Sequence, residues 1–486
     1  MLKQKATRAV GWSAIDQIVR QGLFFATSII MARLVAPEAY GTVALLYLFV
    51  GLAGVFVDVG LSSSLIQRKE ISRTDESTVF WFNVTVGLVL ATGLFVSAPW
   101  ISRFYGIEVL IPIVRIYAFL FFLGAGNAIH NTMFARRLDF KTPLKVSSVS
   151  ITVSAIVGIS LAWNGFGVWA LVAQTMIAGM VEAVLLWVLS PWRPAMTFSS
   201  TSFRSLFRFG GYLFLASLLE TVYQHSFTLI IGKKYGVHDL GIYNRANATK
   251  QLPTGVLSGI LSRVAFPIFA QVADDRERLV RGFRLSIRGI MFINIPMMLG
   301  IAVVAEPLIL TLFGPVWAPA IPLLQILTLS GILFPLHVLN LSVLTAMGHS
   351  GKFLKIEVIK KAVGISLVIA GAAFGVIGMA WAVVISSLFA FVFNAHFNGK
   401  LLNYGALSQT RDCLPAFACG ITMALLVAGF SHMLSASPVV RLMGLSVSGM
   451  GVFVFLAKLF RIRAFTEAIN LLRAQLLKRD ERPALP

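Results

Sequence analysis

Hydrophobic and polar positions alternate along this chain on one long scale. Apolar stretches of about twenty residues are separated by short turns that carry most of the charge. A helix of that length crosses a hydrocarbon layer of about 30 Å. The pattern predicts fourteen spanning helices, at roughly 10–32, 41–64, 79–100, 110–130, 146–164, 167–190, 209–232, 241–270, 287–310, 321–346, 356–374, 376–397, 412–434 and 438–459. A membrane β-barrel would instead show short segments of alternating polarity. The connections are short, so no soluble domain is expected.

The pattern is also written twice. An ungapped shift of 200 positions lays Arg8 on Arg208, Gly11 on Gly211, Trp12 on Tyr212, Ile30 on Ile230, Arg33 on Lys233 and Gly41 on Gly241. Each copy is a basic lead-in, an apolar run of helical length, a short basic turn and a glycine that opens the next helix. An internal duplication predicts this order; a generic likeness between membrane hairpins is the plain alternative. Six spans separate the two starts, so both copies enter the membrane from the same side. That is a parallel repeat, related by an axis along the membrane normal.

Composition sharpens the class. Hydrophobic residues make up 57% of the chain, charged residues 13%, and the mean hydropathy is +0.83. Soluble domains carry about twice that charged fraction. The net charge of +21 raises the question of nucleic acid. Its distribution answers it, because most Lys and Arg fall in alternate connections and in the tail. On the opposite side lie Arg33, Arg103, Lys233, Lys234, Arg245, Lys250 and Arg441. The bias predicts an inner-membrane protein with both termini in the cytoplasm and no nucleic-acid partner. Cys413 and Cys419 form neither a disulfide framework nor a metal spacing. The start, MLKQKATR, runs into a long segment containing Asp16 and Arg20, unlike a cleavable signal peptide.

The expected fold is an all-α polytopic membrane protein of about fourteen helices: two parallel six-helix lobes around a central cleft, plus two extra C-terminal helices. Residues 1–195 form the first lobe, 196–400 the second and 401–460 the added pair; 461–486 is a basic, amphipathic cytoplasmic tail. The stretch Asp274 to Arg288 reads as a similar basic helix on the cytoplasmic surface.

Charges inside spans are expensive and usually face a cavity or a partner. Arg20 lies about nine residues into the first span, about 14 Å deep at 1.5 Å per residue. Asp16 shares its face one turn earlier; a neutralised structural ion pair is the plain alternative to a cationic spot in the cleft. The duplicate position carries Glu220, with Gln224 one turn on. Polar residues then crowd the stretch GIYNRANATKQLP from Gly241, which places Tyr243, Arg245 and Lys250 on a cleft wall if the stretch is helical. Pro253 and Pro267 allow a bend. Arg115 and Arg263 are further cations within spans, with snorkelling as their alternative. Asp58 and Glu182 are candidate counter-charges. His130, His337 and Asn340 read as satisfied groups at helix interfaces, and Gly371 with Gly375 as a close-packing pair.

No phosphate-binding glycine loop, metal-ligand motif or catalytic carboxylate pair is recognisable, so neither enzyme activity nor a metal or cofactor is expected.

Two stretches carry a family likeness: KATRAVGWSAIDQIVRQGLFFATSIIMARLVAPEAYG at the start, and GVHDLGIYNRANATKQLPTGVLSGILSRVAFPIFAQVADD in the second copy. They resemble the Wzx-like bacterial oligosaccharide flippases of the polysaccharide-transporter group, within the multidrug/oligosaccharidyl-lipid/polysaccharide exporter superfamily. The resemblance implies that an undecaprenyl-diphosphate-linked oligosaccharide is moved across the inner membrane by alternating access, alongside polysaccharide export and polymerase proteins. It implies that Arg20, Arg245, Lys250, Arg263, Arg115, Tyr243 and Gln224 meet the polar, anionic headgroup. Asp16, Glu220 and Asp58 would serve coupling to a proton or sodium gradient, or a gate. The rivals are a multidrug antiporter and a peptidoglycan-precursor flippase of the same superfamily. An antiporter for cationic drugs would favour acidic residues where this chain places arginine and lysine.

Overall fold

The computed structural model of the protein describes residues 19–466, apart from 59, 60, 69, 138, 349, 435, 461, 463 and 464. Within its helices the side chains of 58, 63, 67, 208–213, 216, 258–260, 262–264, 266, 267, 350–354 and 432 are not described. Every regular element among the described residues is helical. This follows from the solvent: hydrocarbon offers no partner to a backbone N–H or C=O, and a helix satisfies both within one segment.

Helix α1 covers 19–34. The second expected span is three pieces, α2 Pro37–Ala44, α3 Tyr47–Asp58 and α4 Leu61–Gln67. Then come α5 Arg73–Tyr105, α6 Leu110–Arg136, α7 Lys141–Trp163, α8 Val168–Leu189, α9 Ser200–Lys234 and α10 Val237–Gln271. The chain continues through α11 Arg276–Val303, α12 Ala305–Leu312, α13 Ala320–Ala346, α14 Ser350–Gly371, α15 Gly375–Leu402, α16 Ala406–Met433 and α17 Pro438–Leu459. Among the described residues ten segments are long and apolar enough to span a membrane, one of them holding both α14 and α15. The protein is a multi-span helical membrane protein.

Two local expectations change and one holds. The basic stretch Asp274 to Arg288 is no separate surface helix, because α11 runs unbroken from Arg276 to Val303 with Asp275 as its N-cap, accepting from the Arg278 amide at 3.0 Å. The polar stretch from Gly241 is helical from Val237 onward. Gly375 is not a packing glycine. It takes φ 80° at the start of α15, while Gly371 meets Gly378 backbone to backbone.

Polar groups fix the ends. Ser72 and Asp75 form a reciprocal capping box on α5: the Asp75 amide donates to Ser72 Oγ at 3.1 Å, and the Ser72 amide donates to Asp75 Oδ2 at 2.9 Å. The Arg136 guanidinium donates to the carbonyls of Leu65 and Arg68, closing the C-terminal end of α4. The 190–199 connection is pinned to the first turns of α5, where Trp192 Nε1 donates to Glu76 at 2.6 Å and the Ala195 amide to Ser77 Oγ at 3.0 Å.

The chain forms two compact units, 1–244 and 245–486, meeting in sequence within α10. In the first, α9 packs on α3, α4 and α5, and a core of Leu61, Leu65, Phe80, Ile129, Met133, Trp192 and Leu206 lies around them. In the second, α11 packs on α13 and α16 around Phe269, Phe283, Ile287, Met291, Leu336 and Leu339, and α17 packs on α12 and α16.

The duplication becomes geometry inside the first unit. A Cβ added to Gly41 would lie 1.7 Å from the Val237 carbonyl oxygen, and one added to Gly241 would lie 2.0 Å from that of Pro37. Positions 37 and 237, like 41 and 241, are the pairs matched by the 200-residue shift. The next matched pair is joined by its side chains: His238 Nδ1 lies 2.6 Å from Glu38 Oε1. A local two-fold therefore passes between the two glycines. Helices α1 and α9 both arrive at this end, so both copies cross the membrane in the same sense.

Two backbones in contact leave no room for a methyl group. Gly241→Ala is expected to lower stability by about 2 kcal/mol through overpacking. Gly255→Ala on the same helix, where an added Cβ meets nothing within 4 Å, should be neutral or mildly stabilising through helix propensity. Thermal unfolding of the purified variants checks both; equal midpoints would dismiss the close contact.

Candidate functional site

In the first unit, charged and polar side chains of three helices converge. Arg20 of α1 attracts the Glu182 carboxylate of α8, which also accepts a hydrogen bond from Asn131 of α6. The expected counter-charge Glu182 thus lies within electrostatic reach of Arg20. The expected partner Asp16 lies outside the described residues, and so do the side chains of Asp58 and Arg263. On α9, Gln224 Nε2 donates to Glu220 Oε1 at 2.6 Å, a bond between neighbouring turns of one helix. Tyr243 is buried and stacks in parallel on Phe227, 6.2 Å between ring centres. Arg115 is exposed on α6 with its guanidinium 4.9 Å from the Phe95 ring centre. The structure therefore joins Gln224 to Glu220, sets Arg20 within electrostatic reach of Glu182, and gives Tyr243 an aromatic neighbour.

The second unit holds the other cations. Arg245 is buried, its guanidinium 4.7 Å from the Phe313 ring centre and 4.8 Å from that of Trp317. Two aromatic faces take the place of water around this charge. Lys250, one and a half turns on, packs its stem at Gly331 of α13, the Lys250 Cγ lying 3.6 Å from where a Cβ would stand. Further along α13, His337 Nε2 lies 2.9 Å from Ser387 Oγ of α15. Asn340 exchanges hydrogen bonds with Gln409 at 2.9 Å each and accepts from Asn398 at 2.7 Å, a buried amide network. His130 differs from expectation. It is fully buried, neither ring nitrogen has a hydrogen-bond partner among the described residues, and the rings of Trp187 and Trp192 hold it edge-on at 4.8 and 5.4 Å.

Two charge clusters add to those the sequence suggests. Glu357 pairs with Lys360 at 2.5 Å and with Lys361 at 3.4 Å, all three largely buried in α14. Their signal in the sequence is Glu at i with Lys at i+3 and i+4 inside an apolar run. The second cluster surrounds Asp412 at the start of α16. Its carboxylate accepts from Arg284 at 2.5 and 2.9 Å, from Arg288 at 2.6 Å and from the Tyr404 hydroxyl at 2.8 Å. Burial and then that last hydrogen bond push the Tyr404 phenol above its ordinary range. No sequence spacing brings α11 to α16, so along the chain this cluster shows only as scattered basic residues of a connection.

Two cavities lie in the second unit. One, of about 400 Å³, is an apolar groove among Phe292, Pro296 and Gly300 of α11, Met423 and Val427 of α16, and Leu445, Gly449 and Phe453 of α17. The other, of about 670 Å³, is lined by Arg284, Arg288, Arg411 and Asp412 with Phe292, Pro415, Phe460 and Ile462. Among the described residues no group of three or more His, Cys, Asp or Glu is placed to hold a metal ion. Cys413 and Cys419 are buried free thiols.

Comparison with known proteins adds the family. The sequence pattern described as "Polysaccharide biosynthesis protein" matches residues 30–322. The succinoglycan biosynthesis transport protein ExoT of Rhizobium meliloti (strain 1021) is 33% identical over 330 residues, 68% of this chain and 67% of the relative. The teichuronic acid biosynthesis protein TuaB of Bacillus subtilis (strain 168) is 27% identical over 382 residues, 78% of this chain and 79% of the relative. Among solved structures, that of the lipid II flippase MurJ in an inward closed conformation superposes with a TM-score of 0.78 at 16% identity, covering 93% of this chain and 98% of that one.

The environments of the arginines separate their roles. Arg245→Ala removes a desolvated cation held by two rings and should cost about 2 kcal/mol of stability, whereas Arg115→Ala, exposed against one ring, should cost less than about 1 kcal/mol. Thermal unfolding of both purified variants tests this, and equal losses would contradict it.

Proposed function

The chain belongs to the polysaccharide biosynthesis protein family, and on that footing we propose that it moves an undecaprenyl-diphosphate-linked oligosaccharide repeat across the bacterial inner membrane. The repeat passes from the cytoplasmic to the outer leaflet by alternating access and feeds export of a surface polysaccharide. The observation that carries this reading is the match over residues 30–322, together with a transport-named relative at 33% identity.

The chemistry of the membrane interior supports it. A diphosphate with attached sugars is anionic and heavily hydrated, so its passage needs fixed cations and polar groups in place of water. Arg20 offers a planar fork of donors suited to phosphate oxygens. The attraction between Arg20 and Glu182 keeps that cation from standing unmatched while no substrate is bound. Lys250 of α10 and the Glu357–Lys360–Lys361 group of α14 supply further cations in the second unit. The polyprenyl chain stays in the bilayer and need not leave an apolar surface. Flipping makes and breaks no covalent bond, so no nucleophile or catalytic base is required. Asp16, Glu220 and Asp58 are the carboxyl groups that would take up a coupling proton or sodium ion.

In this reading both termini lie in the cytoplasm, and the Gly41–Gly241 contact with its Glu38–His238 bridge lies at the outer end. Alternating access requires that end to open, so the matched contact parts during the cycle. The arginine and lysine inventory favours an anionic cargo over the cationic substrates of a multidrug antiporter.

A strain lacking the gene, complemented by wild type, Arg20→Ala or Arg20→Lys, tests the assignment. Wild type should restore surface polymer and clear the accumulated undecaprenyl-linked repeat. Arg20→Ala should cut polymer about tenfold or more, the scale of one lost charge-assisted hydrogen bond, with Arg20→Lys in between. Normal polymer and normal intermediates in the deletion strain would refute the function. Full rescue by Arg20→Ala would keep the function and remove Arg20 from the headgroup path.

A further inference from the structure

We propose that the arginine-lined pocket of the second unit binds the phosphate of an anionic phospholipid, one acyl chain of which lies in the adjoining apolar groove. This site is separate from the cations assigned to translocation.

The pocket lies among residues 284–292 of α11, residues 411–419 of α16 and the residues just beyond α17. Three arginines, Arg284, Arg288 and Arg411, line it with a single carboxylate, Asp412. That carboxylate is nearly enclosed, its side chain 4% exposed, and its oxygens are already taken by Arg284, Arg288 and the Tyr404 hydroxyl. Asp412 therefore fixes the two guanidinium forks without cancelling the cluster, which keeps an excess of two positive charges. Arg284 and Arg288 remain 49% and 30% exposed and retain N–H groups beyond those given to Asp412. A fork of N–H donors held in place matches the paired oxygens of a phosphate.

What adjoins the cluster selects a lipid over a soluble anion. Phe292 forms a wall of both the arginine pocket and the apolar groove, so a charged mouth continues directly into a slot of hydrocarbon character. Phe460 and Ile462, just beyond α17, line the pocket, and the Phe465 ring lies 6.1 Å from that of Phe292. The rest of the lining decides the size of the headgroup. Pro415, Ala416, Ala418 and Cys419 offer no hydroxyl or amide side chain to meet a sugar. The pocket suits a small phosphodiester, not an oligosaccharide. Basic pockets between membrane helices at the cytoplasmic face are where anionic headgroups are held, and the basic connections of this chain gather at that end.

Native mass spectrometry of the full-length protein tests the site, with phosphatidylglycerol, phosphatidylcholine, undecaprenyl diphosphate and inorganic phosphate as separate probes. Wild type should prefer phosphatidylglycerol over phosphatidylcholine. Arg411→Gln, which leaves the Asp412 clamp intact, and Arg288→Gln should each weaken phosphatidylglycerol binding about tenfold. Arg441→Gln, which alters an arginine bonded to Glu306 and Ser431 instead, should leave it unchanged. Thermal unfolding confirms that each variant is folded. Equal binding of the two phospholipids, or no loss in Arg411→Gln, overturns the proposal. Displacement of phosphatidylglycerol by undecaprenyl diphosphate in wild type but not in Arg411→Gln would give the pocket to the translocated lipid and also overturn it. Competition by inorganic phosphate at equal concentration would make it a site for soluble anions and overturn it as well.

Discussion

A charge placed in hydrocarbon costs several kcal/mol unless something replaces its water, and the described interior of this protein is arranged around that constraint. Its cations have substitutes for solvent that differ in kind from place to place. Arg20 has the Glu182 carboxylate. Arg245 has two aromatic faces. Lys360 and Lys361 share Glu357, and Arg284 and Arg288 share Asp412. The kind of substitute predicts what each charge is free to do. A guanidinium between two rings is committed to packing. One facing a carboxylate can exchange that partner for a phosphate, because both offer paired anionic oxygens.

The second organising fact is the duplication. At its axis, matched residues touch one another, Gly41 against the Val237 carbonyl and Gly241 against that of Pro37. Only glycine allows two helix backbones to come so near. The neighbouring matched pair, Glu38 and His238, has diverged into complementary groups and bridges the same place at 2.6 Å. Contact between the repeats at this place includes these two backbone approaches and the exposed Glu38–His238 bridge.

Much of this is legible in the chain alone. Apolar runs of helical length give the helices because hydropathy in a membrane protein reports solvent directly. The 200-residue offset gives the paired glycines because both copies need the same missing side chain. The burial of Arg245 is not legible: Phe313 and Trp317 lie some seventy residues away, and neither carries a periodicity that points to an arginine. The Asp412 cluster is hidden for the same reason, since its members come from α11, α16 and the turn before it. At His130 the sequence suggests a bonded interface group, but the rings of Trp187 and Trp192 hold the imidazole with no hydrogen bond to any described residue. Pair contacts across helices depend on packing register, and sequence spacing reports only pairs within one helix.

If fixed cations carry a lipid-linked diphosphate through the bilayer, the purified protein in vesicles must translocate that lipid. The movement can be followed with a fluorescent polyprenyl-diphosphate oligosaccharide whose outward-facing fraction is read by a membrane-impermeant quencher. Protein-dependent movement is expected, slowed at least about tenfold in Arg20→Ala, with no movement of a neutral polyprenyl oligosaccharide. Equal movement of the charged and neutral lipids, or none of either by folded protein, would contradict the role of the cations.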